Sequence, residues 1–154
     1  MLDVGTEAPD FSVATDDGSE FKLSEWRGTK HVVLYFYPRD FTVGCTKQAC
    51  DFRDNYDAIL GEGAVLMGVS TDPVERHRTF RAEYGLPFPL GADTERRVTR
   101  LYDAVRMFKI GGAQRVTYVI DMDGIIRAAF RHELAIGRHR DDVLRTLRRI
   151  NQDG

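Results

Sequence analysis

A chain of 154 residues has room for one ordinary core that buries most of its apolar surface without disulfide or metal staples. Hydrophobic residues make up 42% and charged residues 30%, and a formal net charge of -2 gives no global attraction to phosphate backbones or anionic membranes, which argues against nucleic-acid and membrane partners. Two cysteines are too few for a disulfide framework, and in a reducing compartment a close pair is more often catalytic or metal-binding than structural.

The opening stretch MLDVGTEAPDF lacks the basic start and apolar run of a signal peptide, and the longest strongly apolar run, Val32 to Tyr37, is too short to span a bilayer. A cytoplasmic protein is expected. No repeat, low-complexity tract or linker divides the sequence, so one domain over residues 1–154 is expected.

In chain order, Phe11 to Phe21 places the turn signal Asp16-Asp17-Gly18 between short alternating segments, a small hairpin ahead of the main fold. The run from His31 to Tyr37 is apolar and rich in β-branched and aromatic residues, as a strand covered on both faces should be. After Pro38, the spacing of Cys45, Ala49, Phe52, Tyr56 and Ile59 predicts one long helix from about Thr42 to Leu60, with Cys45 on its core-facing stripe. Val65 to Val69 reads as a second buried strand, Pro73 to Tyr84 as a helix entered through the capping signal Ser70-Thr71-Asp72, and Thr94 to Tyr102 as another helix. Val116 to Asp121 and Ile125 to Phe130 flank the turn Met122-Asp123-Gly124 as an antiparallel pair, and Asp141 to Ile150 closes the chain as an amphipathic helix. The expected fold class is α/β, a mixed central sheet between helices with an N-terminal β-hairpin.

The segment Pro38-Arg-Asp-Phe-Thr-Val-Gly-Cys45 puts a cysteine in the first turn of a helix that follows a buried strand. Free backbone N–H groups and the positive end of the helix dipole stabilise a thiolate there. Cys50 follows five residues later. On an intact helix that separation turns it ~140° away with Cα atoms about 8.7 Å apart. A disulfide does not span that distance, so a Cys45–Cys50 bond requires local unwinding. The plain alternative is a pair of ordinary buried cysteines.

The stretch YFYPRDFTVGCTKQACDFRD is similar to the recurring motif of the peroxiredoxin family, specifically its bacterioferritin-comigratory-protein or PrxQ type. The resemblance continues through APDFSVATDDGSEFKLSEWRG, GVSTDPVERHRTF, LPFPLGAD and RVTYVIDMDGIIR in the family's order, over nearly the whole chain. It implies a thioredoxin-like fold and a thiol peroxidase acting on hydrogen peroxide and organic hydroperoxides. Carried over position by position, Cys45 would be the peroxidatic cysteine, Cys50 the resolving cysteine, Thr42 and Arg115 the hydrogen-bond donors to the peroxide, and Pro38 a shield over the sulfur. The family pattern further implies an intramolecular disulfide, a thioredoxin-like reductant and a monomer. Three positions depart from that pattern: Val43 replaces a usual proline, Gln48 a frequent glutamate, and Gly91-Ala92 a more usual leucine-serine pair before Asp93. Losing proline at Val43 should loosen the approach to the helix.

Read by pattern alone, Arg115 at a strand start would face solvent, and Arg106, Arg127 and Arg131 compete with it; motif position selects Arg115. The four histidines, His31, His77, His132 and His139, show no metal-ligand spacing, so neither metal nor other cofactor is expected. The basic, amphipathic tail RHRDDVLRTLRRI reads as a solvated helix face, and the aromatic residues Trp26, Phe80, Tyr84, Phe88 and Tyr102 as packing. The rival functions are a disulfide reductase, which normally uses CxxC, a copper-delivery module, which asks for CxxxC and a distant histidine, and a catalytically dead interaction protein. The four-residue gap between the cysteines fits neither metal nor reductase spacing, and the intact Pro38, Thr42, Cys45 and Arg115 set argues against the third.

Overall fold

The computed structural model describes residues 1–105, 113–132 and 135–153. Its centre is β3 (His31–Phe36), in which every residue is buried. Side chains alternate across a strand. Val33, Tyr35 and Tyr37 accordingly enter one core cluster with α1 (Val43–Asp54) and α5 (Gly137–Asp153). Val32, Leu34 and Phe36 enter a second cluster with Phe11, Val13, Val98 and Tyr102 on the opposite face. A strand that is apolar from Val32 to Phe36 is therefore sandwiched, as its sequence predicts.

The sheet has the order β5-β4-β3-β6-β7. The strands β4 (Ala64–Ser70) and β5 (Leu90–Ala92) run parallel to β3, whereas β6 (Val116–Ile120) is antiparallel to it and to β7 (Ile126–Arg131). The expected mixed sheet between helices is present, and so is the hairpin of β1 (Ser12–Ala14) and β2 (Glu20–Lys22). That hairpin leans on β5, where Thr15 bridges Gly91. A Cβ on Gly91, one of the positions that depart from the family pattern, would come 3.0 Å from Val13 Cγ1, so Val13 would have to give by a few tenths of an ångström.

Several elements differ from the sequence reading. The long helix breaks at Asn55 (φ −116, ψ 12), whose side chain donates to Asp51 O at 2.8 Å, so α1 ends at Asp54 and α2 covers Tyr56–Gly61. Asn bonds readily to nearby backbone, and here it competes with the helix ladder. The helix α3 (Val74–Tyr84) has Pro73 at its N-cap and no side-chain cap. The Ser70-Thr71-Asp72 signal serves a different purpose: Asp72 Oδ2 accepts from Ser70 Oγ at 2.6 Å and from Asp40 N at 2.8 Å. The helix expected from Thr94 is reduced to α4 (Arg97–Leu101), because Asp93 accepts from the backbone N–H groups of Val98 and Thr99 and starts the turn later. The three-residue β5 was too short for periodicity to show, and the closing helix extends beyond its predicted ends on both sides.

Candidate active site

The loop leaving β3 runs through Pro38 to Phe41, whose positive φ of 68° turns the chain into α1. Thr42 is the N-cap, with extended backbone (φ −74, ψ 155), and its Oγ1 accepts from Cys45 N at 3.3 Å. The spacing of Thr42 and Cys45 is that of an N-cap and the third helical residue, so a hydroxyl satisfies one of the orphan N–H groups of the first turn. Thr42 Oγ1 also donates to Arg39 O at 3.2 Å.

Cys45 is 1% exposed, on the core-facing side of α1 as its spacing predicted. Across from it stands Arg115, also buried, whose Nη2 donates to Cys45 Sγ at 3.3 Å and whose Nη1 donates to Gln48 Oε1 at 2.6 Å. The register explains this approach. Val116 pairs with Phe36, so the residue before Val116 lies at the same end of the sheet as the loop that leaves β3. The expectation from pattern that an arginine here would be solvent-facing is wrong, because the register turns it inward over α1. Of its competitors, Arg127 pairs with Asp121 Oδ2 at 3.0 Å, Arg131 is exposed at the end of β7, and Arg106 lies outside the described residues.

Two residues of this site were not singled out as functional from sequence. Gln48, one helical turn beyond Cys45, is 1% exposed and orients the Arg115 guanidinium. Its position on the buried stripe of α1 was the available signal. Gly44 is the other. A Cβ there would lie 2.9 Å from Ile136 Cδ1 and 3.1 Å from Arg115 Nη2, so a side chain at this position would have to displace the guanidinium or Ile136.

Pro38 is half-buried at the head of the loop and Thr42 is exposed at its end. Cys50 is half-buried on the same unbroken helix as Cys45, and both thiols are free. Behind Arg115, His139 is fully buried. Its Nδ1 accepts from Thr117 Oγ1 at 2.8 Å and its Nε2 donates to His132 O at 3.0 Å. Burial above all, with help from the charges of His132 and then Arg115, pushes its pKa down from 6.5 to about 4. Both bonds suit a neutral ring.

A thioredoxin-like sheet that delivers a buried cysteine to a capped helix start, under an arginine, defines a protein of reactive-thiol chemistry. Residues 4–129 match the model of the AhpC/TSA family. The chain is 36% identical to peroxiredoxin Bcp of Bacillus subtilis (strain 168), over 98% of both chains. It is 40% identical to a putative peroxiredoxin bcp of Coxiella burnetii, over 84% of this chain and 88% of that one. Among solved structures, peroxidoxin BcpB of Mycobacterium tuberculosis superposes with a TM-score of 0.92 at 33% identity, over 97% of this chain and 99% of that one. The bacterioferritin comigratory protein of Xanthomonas campestris superposes with a TM-score of 0.87 at 29% identity, over the same shares. The chain belongs to the AhpC/TSA family, as a peroxiredoxin of the Bcp and PrxQ type, and is a thiol peroxidase.

Proposed function

We propose that the protein reduces hydrogen peroxide and organic hydroperoxides through Cys45, and that Cys50 resolves the product. Alkyl peroxide reduction is described for the Xanthomonas campestris relative. The observation that carries the assignment to Cys45 is the Arg115 Nη2 contact at 3.3 Å to a sulfur buried at a capped helix start. Arg115 sets a positive charge and an N–H donor against the sulfur, and the helix start adds its dipole on the same side.

The thiolate attacks the terminal oxygen of the hydroperoxide. A sulfur–oxygen bond forms, the oxygen–oxygen bond breaks, and the departing alkoxide or hydroxide takes a proton to leave as alcohol or water. Charge develops on that leaving oxygen, so fixed donors contribute most of the remaining rate. Arg115 supplies one. Thr42 supplies another by turning its hydroxyl hydrogen from Arg39 O toward the peroxide. Pro38, at the head of the same loop, shields the sulfur from water.

The sulfenic acid of Cys45 then condenses with the Cys50 thiol, forming a disulfide and releasing water. Because α1 is unbroken between the two cysteines, this step needs the helix to unwind. Two electrons from a thioredoxin-like dithiol return the pair to thiols. We further propose that residues 1–154 act as one domain, as a monomer in the cytoplasm; among the described residues no helix is long and apolar enough to cross a membrane.

The test is single-turnover stopped flow with one equivalent of hydrogen peroxide, followed by intact and peptide mass spectrometry. Rapid reaction with a loss of two hydrogens' mass, abolished by Cys45→Ser and diverted to a sulfenic acid by Cys50→Ser, is the expected outcome. Reaction no faster than that of a free thiol overturns the assignment.

A further inference from the structure

We propose that Asp40 and His77 are positioning residues for the peroxide reaction, acting through the corner of chain that ends at Thr42; this rests on the reading of Cys45 as nucleophile. Asp40 stands two residues before Thr42, and each of its polar groups has a partner. Its N–H donates to Asp72 Oδ2 at 2.8 Å and its carbonyl accepts from Arg76 Nη2 at 3.2 Å. Its Oδ1 accepts from Tyr37 Oη at 2.5 Å, and its Oδ2 lies 2.6 Å from His77 Nδ1. The partners come from the end of β3, the loop after β4, and α3, so three separate elements converge on one residue of the loop.

The proton count follows from the geometry. His77 Nε2 lies 2.9 Å from Gly91 O, a carbonyl that only accepts, so this nitrogen carries a hydrogen. Burial, reinforced by Asp40, raises the pKa of Tyr37 well above its ordinary value, so it remains a phenol and donates. One further proton then occupies the 2.6 Å gap between the His77 ring and the Asp40 carboxyl, both completely buried. The same side chains, with Asp72, form the cluster whose potential ligand atoms lie within 4.8 Å of one another. A shared proton accounts for them better than an ion does. Two atoms each bound to one ion at ~2.0–2.2 Å sit about 3 Å or more apart, and His77 Nε2 is already turned to a carbonyl.

A buried ionisable pair is weak evidence for stability, since apolar residues of equal volume often serve as well. What distinguishes this pair is where it is attached. Directly after Asp40 the chain makes its positive-φ turn at Phe41, whose ring lies under the Arg76 guanidinium, 5.2 Å from ring centroid to Cζ, and packs on Phe80. Thr42 then caps Cys45. Any shift of Asp40 is therefore passed through one rigid residue to the hydroxyl that must meet the peroxide, and a displacement near 1 Å can cost on the order of 10²-fold in rate.

The test compares two reactions of Cys45 in the full-length reduced protein. Oxidation by hydrogen peroxide needs Thr42 and Arg115 aligned on the substrate; alkylation by iodoacetamide needs only the thiolate. Asp40→Ala is expected to slow peroxide oxidation by on the order of 10²-fold while alkylation changes by less than about threefold. Asp40→Asn should recover most of that loss, because the amide oxygen accepts from Tyr37 as the carboxyl does and the amide N–H donates to His77 Nδ1 in place of the shared proton. Tyr37→Phe keeps the ring and removes one bond to Asp40; a smaller slowing at an unchanged unfolding midpoint supports the proposal even if Asp40→Ala fails to fold. Peroxide rates at the native value in folded Asp40→Ala and Tyr37→Phe overturn it, as does an equal loss in both reactions, which would mark a purely structural role. One equivalent of Zn²⁺ held by the native protein and lost in His77→Phe also overturns it. A native protein that itself reacts no faster than a free thiol instead sinks the assignment of Cys45.

Discussion

The two cysteines share one helix, yet the structure treats their surroundings differently. At the Cys45 end, Thr42 caps the backbone, Arg115 reaches the sulfur, and Asp40 ties the preceding loop to three other elements. Toward the Cys50 end the thiol is half-buried, the helix stops at Asn55, and the neighbouring ion pairs Lys47–Asp51 and Arg53–Asp54 involve exposed side chains that contribute little. On the proposed mechanism, polar bonds gather on the loop and sulfur where the nucleophile is aligned, while the Cys50 end is held mainly by the buried Ala49 and Phe52 and by Arg53 Nη1 donating to Tyr84 O at 2.7 Å. The contrast can be broken from the fixed end or the loose one.

The largest expected effect follows from removing the charge over the sulfur. Arg115→Met should lower the second-order rate with hydrogen peroxide by ~10²–10³-fold, as loss of one aimed donor does in other sites, with Gln48 losing its partner at the same time. Stopped-flow fluorescence measures it. A loss of less than tenfold would mean that the helix start alone activates Cys45.

Next comes His139, bonded to Thr117 two residues beyond Arg115 in the chain. Its folded pKa of about 4 lies below its ordinary 6.5, so the neutral ring is favoured in the fold. As pH falls through 6.5 the unfolded chain takes up the proton first, and the native state is left behind. The associated stability is therefore fully present above about pH 6.5 and is lost progressively toward pH 4, at most about 3 kcal/mol. Urea unfolding at pH 7.5, 5.5 and 4.5 checks it against His139→Gln, whose curve should fall less steeply. Parallel curves would remove His139 from the account.

Gly44→Ala places a methyl against Arg115 and Ile136. Overpacking of this kind costs about 1–3 kcal/mol, and the easiest relief is to push the guanidinium away from the sulfur. Peroxide oxidation should slow even where the protein remains folded. Slowing without a fall in the unfolding midpoint would show that Arg115, rather than the helix, gives way.

How much of this was legible depends on how local the signal is. The strand announced itself by the apolar run from Val32 to Phe36, and the apolar spacing that begins at Cys45 placed that residue in the first turn of a helix, whereas the capping role of Thr42 was not read from the sequence. Arg115 was legible only through family resemblance, because its approach depends on pairing Val116 with Phe36, a contact between distant parts of the sequence. The Asp40–His77 pair is non-local in the same way, joining a loop to α3. Asp72 shows the opposite error. Its Ser-Thr-Asp setting matched a helix cap, but the nearby Asp40 N–H and Ser70 hydroxyl took its carboxylate instead. Asn55 broke the long helix because a side-chain bond to Asp51 O is available without any change in the apolar spacing.

The smallest effect tests the loose end most directly. Val43 is the first residue of α1 and 90% exposed, at a position where proline suits the missing N–H partner and the fixed φ. The residue before a proline must be extended, and Thr42 already is, at φ −74 and ψ 155. Val43→Pro should therefore raise unfolding free energy by about 0.5–1 kcal/mol, chiefly by restricting the unfolded chain. Its effect on closure of the Cys45–Cys50 disulfide separates two routes. If unwinding begins beyond Cys45, at the Cys50 side, the first turn is intact throughout and the closure rate measured by rapid quench and mass spectrometry stays within about twofold. If unwinding starts at the cap instead, proline opposes it and closure slows in proportion to the stabilisation, about two- to fivefold by the usual conversion of free energy to rate. The second result would mean that the bonds gathered at the Cys45 end act on the peroxide step alone and release before the disulfide forms.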